Sequence, residues 1–193
     1  NELLKGKGVI LLTPHCVSLD FGGRSISKYP IISIYKPFRN KLLNWFIGRS
    51  RSKNTDNVIV YPRENLSFKK IVQALKKPIV FYYIGDEDLG LKNSEFANFF
   101  DEKKSTLISI SKIAALSKAT VIPCINHYCP SKDKYITYVD KPLEKFPTEQ
   151  TRDDALIINR AFEKLINRDL NQYMWSLRLF QTRPNGHKYP YVK

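Results

Sequence analysis

Long apolar runs are missing from these 193 residues. The longest, such as Val9–Leu12 and Ile79–Ile84, are strand-length and fall far short of the roughly 20 residues a membrane-spanning helix needs. Nothing in the chain therefore reads as a membrane span, and no signal peptide is evident. Cysteine is scarce: Cys16, Cys124 and Cys129 are too few and too unevenly spread for a disulfide framework, which points to a reducing compartment. Cys124, His127 and Cys129 lie close in sequence, but strand alternation sends residue 124 to one face and 127 and 129 to the other, so no metal site is expected. Methionine occurs once, at Met174, and the chain begins at Asn1, so a piece of a longer protein is expected. Acidic residues are also in deficit, 18 against 32 Lys and Arg, for a formal charge of +14. Such a surface attracts anions: nucleic acid, anionic lipid or acidic proteins.

What is present suffices for one globular domain, since 42% of the residues are apolar. Strand-like runs at Val9–Thr13, Ile31–Tyr35, Val58–Tyr61, Ile79–Tyr83 and Thr120–Ile125 alternate with helix-like stretches at Asp20–Ser27, Lys41–Ile47, Leu66–Lys76 and Leu107–Ser117. Tyr135–Val139 reads as a further strand, and Asp153–Asn167 carries Ala155, Ile158, Phe162 and Ile166 at helical spacing. This is the grammar of an α/β fold: a mixed, mostly parallel central sheet flanked by helices. Gly85–Ser105 reads as a long loop, a common seat of function, with an Asp86-Glu87-Asp88 cluster at its start. From Tyr173 onward the chain is rich in Arg, Pro and aromatics and is expected to wrap over the sheet.

Chemistry concentrates where the first strand ends. Gly8-Val-Ile-Leu-Leu-Thr-Pro-His15 runs into His15-Cys-Val-Ser-Leu-Asp20, and two residues five apart within one helix lie about 140° apart and cannot pair. With His15 on a turn and Asp20 in the first helical turn, capped by Ser18, the two side chains can meet. A histidine held by a carboxylate is the usual general base. No Gly-x-Ser-x-Gly elbow supplies a serine nucleophile, and Cys16 reads as a packing residue, so the nucleophile is expected to be a substrate hydroxyl.

The run GKGVILLTPHCVSLDFGGR resembles the His-x4-Asp/Glu signature of the glycerolipid acyltransferase superfamily, and within it the late acyltransferases of lipid A biosynthesis, the lauroyl and myristoyl transferases. Further blocks carry the narrower resemblance: Tyr35-Lys-Pro, Leu42-Leu-Asn-Trp45, Arg51, Phe81-Tyr-Tyr-Ile-Gly-Asp86-Glu-Asp88, Ala119-Thr-Val-Ile-Pro123 and Gln172-Tyr-Met-Trp-Ser-Leu-Arg178-Leu-Phe-Gln-Thr-Arg183-Pro. Gly85 stands where the family's pattern has proline, Lys36 where it has arginine, and Gln181 where lysine is common. The resemblance covers essentially the whole chain. It implies that residues 1–193 are an acyltransferase domain lacking its N-terminal portion and a membrane-anchoring helix. It also implies His15 and Asp20 as catalytic residues, and Arg51, Arg63, Asp86, Asp88, Arg178 and Arg183 as substrate-binding residues. Acyl carrier protein is the implied donor and a lipid A precursor the acceptor, at the cytoplasmic face of the inner membrane, with no cofactor.

Plainer roles stand beside these. Asp86 and Asp88 can pin the loop through its backbone amides, and Arg178 and Arg183 can cover apolar surface with their stems. Trp45 reads as core, and His127 and His187 as structural or surface residues. Lys36, Arg39, Lys41, Arg49, Arg51 and Lys53, with Phe38, Trp45 and Phe46 and no acid among them, form a patch suited to a membrane surface or to RNA. A nucleic-acid-binding domain leaves His15 and Asp20 unexplained and has no recognition motif in its favour; a catalytically inactive fragment of an acyltransferase is the other rival.

Overall fold

The computed structural model describes residues 2–52, 57–62 and 67–191, apart from the side chains of Leu4, Arg51 and Ser52. Val9–Thr13 (β1) is buried at every position, as a central strand covered on both faces must be. Alternation sends Ile10 and Leu12 to one face and Val9 and Leu11 to the other. Four more parallel strands join it: Ile31–Tyr35 (β2), Val58–Pro62 (β3), Val80–Ile84 (β4) and Thr120–Cys129 (β7). Lys134–Val139 (β8) closes one edge antiparallel to β7, giving the order β3-β2-β4-β1-β7-β8. The fold is thus the mixed, mostly parallel α/β sheet that the alternating strands and helices predict.

Helices cover both faces. On one, Ile10, Leu12, Phe81 and Val121 pack with Ile71 and Val72 of Phe68–Ala74 (α3), Ile110 and Ile113 of Ser109–Ser117 (α4), and Ile158 and Phe162 of Thr151–Ile166 (α5). Phe162 and Ile158 are fully buried, each contributing about 1.5–3 kcal/mol of apolar burial. On the other face, Val9, Leu11, Val80, Tyr82 and Cys124 meet Leu19 of Leu19–Ser25 (α1) and the nearby Ile26. Gly22 is what lets α1 sit so close: a Cβ there would run into the side chain of Asn126, itself bonded to the Tyr82 hydroxyl (3.0 Å) and to Thr137 (2.8 Å).

Two expectations change. The stretch read as a loop from Gly85 to Ser105 contains a hairpin, Ser94–Phe99 (β5) paired with Glu102–Leu107 (β6). Its sequence is too polar to announce strands, and its order comes from tertiary contacts: Asn159 of α5 donates to the Asn98 carbonyl (2.9 Å), and Glu163 accepts from Phe100 N–H (2.6 Å). Trp45 is not core. It lies on Lys41–Ser52 (α2) and is 58% exposed, as are Phe46 (60%) and Leu42 (73%). Among the described residues no helix is long and apolar enough to cross a membrane.

Candidate active site

The register of the sheet builds the site. Thr13 of β1 faces Ile84 of β4 in a parallel pair, so two residues further along each chain bring His15 and Asp86 together at the carboxyl ends of the strands. Open α/β sheets bind ligands at that end. Asp86 is fully buried and accepts three hydrogen bonds: from the His15 backbone N–H (2.8 Å), from the His15 ring at Nδ1 (2.6 Å to Oδ1) and from the Tyr173 hydroxyl (2.9 Å to Oδ2). The backbone bond fixes the turn and the ring bond fixes the imidazole, leaving Nε2 to exchange a proton. Burial of the ring by itself favours its neutral form, but the hydrogen bond and charge of Asp86, with Glu87 adding, outweigh it and hold the His15 pKa above the usual histidine value. Tyr173 is pushed up, first by burial and then by the Asp86 charge, and keeps its proton as a donor.

The chain after α5 completes the site. Gln172 and Tyr173 pair with the His15 turn through Val17 N–H to Gln172 O (2.9 Å), an isolated antiparallel bridge between Cys16 and Tyr173, and Met174 N–H to His15 O (3.2 Å). The C-terminal segment therefore crosses the strand ends, as expected, and delivers Tyr173 to the buried carboxylate. Ser18 stands at the N-cap of α1, but its hydroxyl reaches Gln172 (3.5 Å) instead of capping the helix.

Asp88 is buried and binds backbone amides: Gly90 N–H (3.1 Å) and Thr182 N–H (2.7 Å). It ties the turn after β4 to the C-terminal segment. Arg183 donates to Glu102 (2.7 Å) and to the Lys103 carbonyl (3.0 Å), while Arg178 is exposed. Arg51 belongs to α2, but its side chain lies outside the described residues, as does the whole of Arg63. Asp20, in the first turn of α1, is exposed and lines the same cavity as His15. The carboxylate bonded to the His15 ring is that of Asp86, 71 residues away in sequence. Local spacing finds Asp20 and is blind to that pairing. Tyr173 escapes the sequence reading because no local pattern marks its partner.

That cavity, about 680 Å³, lies between α1, α2 and the sheet. His15, Asp20, Arg24 and Lys36 contribute polar groups, and Ile31, Ile34, Val58, Val60 and Ile84 an apolar wall. Its size falls within the range of small-molecule sites. The two buried thiols offer no nucleophile: burial raises Cys16 and pushes Cys124 up to about 12. Among the described residues no group of three or more His, Cys, Asp or Glu side chains could hold a metal. The arrangement can take a proton from a hydroxyl beside an apolar chain.

Comparison with known proteins adds context to this geometry. Residues 1–182 match the family described as bacterial lipid A biosynthesis acyltransferase. The chain is 32% identical over 188 residues to a lipid A biosynthesis acyltransferase of Haemophilus influenzae, covering 94% of this chain and 56% of the relative. It is 31% identical over 191 residues to the lipid A biosynthesis palmitoleoyltransferase of Escherichia coli (98% and 61%), and 32% identical over 184 residues to that organism's lauroyltransferase (93% and 58%). The chain spans a little over half the length of these relatives.

Proposed function

Because the chain belongs to the bacterial lipid A biosynthesis acyltransferase family, we propose that it is the catalytic part of an enzyme that moves a fatty acyl chain from acyl carrier protein to a hydroxyl on the hydroxyacyl chains of a lipid A precursor. The observation that carries this reading is the Asp86-held His15 in the wall of a largely apolar cavity. His15 Nε2 takes the proton of the acceptor hydroxyl, and the oxygen attacks the thioester carbonyl. The tetrahedral intermediate then expels the thiolate by C–S cleavage, and His15 returns the proton to that sulfur. Asp86 holds the ring and stabilises the imidazolium between these transfers. Asp20, which lines the same cavity, acts on His15 or on the incoming hydroxyl. The apolar wall takes the acyl chain.

Charge and exposure support the partners. A formal charge of +14 suits acidic acyl carrier protein and the phosphates of the acceptor. On α2 the exposed Leu42, Leu43, Trp45 and Phe46 lie beside Lys41 and Arg49, with Phe38, Lys36 and Arg39 just ahead, an apolar face flanked by cations. This face seats the enzyme on the cytoplasmic side of the anionic inner membrane. The test is transfer of an acyl chain from acyl carrier protein by the full-length enzyme and its His15→Ala variant. Loss of the base costs about 10²–10⁴ in rate. A folded variant with unchanged turnover sinks the mechanism.

A further inference from the structure

The mechanism above leaves one buried cation unused. Lys104, on β6, is fully buried, and its Nζ has no hydrogen-bond partner among the described residues. Lysine is almost never buried without a partner, because an unsolvated ammonium is costly. Its one described ring contact, Phe99 at 5.7 Å from the centroid, compensates only weakly. The strand that carries it is bonded to the catalytic turn: Ser105 Oγ donates to Gly90 O (2.7 Å), and Asp88 of that turn is buried like Asp86.

The charged and titratable groups on the elements packed here are Asp86, Glu87 and Asp88 of the turn, His15 after β1, Tyr173 and Arg183 of the C-terminal segment, Glu102 and Lys103 of β6, and Glu163 of α5. Asp86 and Asp88 are the two whose charge acts on Lys104. We infer that Lys104 is a positioning residue: its ammonium is the internal counter-charge of Asp86 and Asp88 and, through Asp86, it tunes how basic His15 is. The charges of Asp86 and Glu87 would otherwise make His15 hold its proton too tightly to give it up at neutral pH. A cation that acts on Asp86 without a hydrogen bond to it offsets that charge and leaves the bond to the ring intact. Burial lowers the Lys104 pKa to about 8 against the pull of the two carboxylates, so the cation is present at pH 7 and is lost just above pH 8. The inference deepens the acyltransferase reading by naming what sets the base at that site.

The experiment is an NMR titration of His15 in the full-length protein with ¹³C-labelled histidine, its signal assigned by the loss of one resonance in His15→Gln. In Lys104→Met the His15 pKa rises by about one unit, the size of shift that one nearby charge produces. Lys104→Arg, which keeps the charge, restores the original value. In the unaltered protein the His15 signal shows a second, smaller step near pH 8 as Lys104 loses its proton, a readout that survives even if Lys104→Met does not fold. A folded Lys104→Met with an unmoved His15 pKa, or the absence of the step near pH 8, overturns the inference. The acid limb of kcat/KM for acyl transfer moves with the NMR value. If the NMR shifts appear and no acyl transfer is found, the counter-charge role stands and the acyltransferase reading falls.

Discussion

Replacing Asp86 with Asn changes a single atom pair at the point where three hydrogen bonds converge. The amide supplies one acceptor where the carboxylate supplied two. If its NH₂ takes the place of Oδ2, it confronts the His15 backbone N–H and the Tyr173 hydroxyl. If it takes the place of Oδ1, those bonds survive and the NH₂ faces His15 Nδ1. The second orientation loses less, and it forces the neutral ring to carry its proton on Nε2, the wrong tautomer for a base facing the cavity. Turnover then falls by about 10⁴, the scale seen when a base is locked in the wrong tautomer. Exchanging charge-assisted hydrogen bonds for neutral ones also costs about 1 kcal/mol of stability, or on the order of 3 °C in Tm for a chain of this size.

The stability effect has a definite pH dependence. Because the folded protein holds the His15 pKa above its unfolded value, protonation stabilises it. That contribution is complete below the unfolded value, about 6.5, and is lost as pH rises through the folded value. Asp86→Asn removes the hydrogen bond and charge that raise the pKa and leaves burial, which lowers it. It also removes one of the two charges that offset the burial of Lys104, a penalty felt only below about pH 8. Both effects widen the gap in Tm between parent and variant at pH 6 and narrow it at pH 9. Thermal melts across that range, with acyl-transfer rates on the same samples, check the argument. An Asp86→Asn enzyme with near-normal turnover, or a gap that grows with pH, refutes it.

Tyr173→Phe deletes one of the three bonds to Asp86 while keeping the ring, so it should lower stability by about 0.5–1.5 kcal/mol and reduce kcat more than it changes KM; steady-state kinetics with a parallel melt separate the two. Gly22→Ala drives a methyl group into the buried Asn126 side chain; it should cost about 1–3 kcal/mol as α1 is lifted from the sheet, a loss read from chemical denaturation. Changing Trp45 and Phe46 to Ser should abolish sedimentation with phosphatidylglycerol vesicles, and high salt should weaken the parent's binding through its flanking cations; unchanged sedimentation would show that α2 has another partner.

The parts of the fold that the sequence discloses are those governed by local pattern. β1 reads as a buried strand because its run of apolar residues is continuous, and all five of its positions are buried; α5 reads as a helix because its apolar positions recur on one face. β5 and β6 escape such reading, since Lys103, Lys104, Ser105 and Thr106 look like a solvated loop until α5 is packed on them. Trp45 misleads in the opposite direction: a tryptophan in a helix ordinarily reads as core, yet here it is displayed. At the site, His15 and Asp20 are visible because they lie five residues apart. The bonds that hold His15 span 71 and 87 residues along the path from His15 to Asp86 to Tyr173, and only the register of β1 against β4 and the return of the C-terminal segment bring them together.

Whether His15 held by Asp86 performs acyl transfer in lipid A biosynthesis is read from mass spectrometry of lipid A. The sample comes from a host lacking one late acyltransferase and supplied with the complete gene, either unaltered or carrying His15→Ala. The unaltered gene restores one acyl chain per lipid A molecule, and the variant, expressed to the same level, restores none. Lipid A left unchanged by the unaltered gene, or restored equally by the variant, contradicts that role.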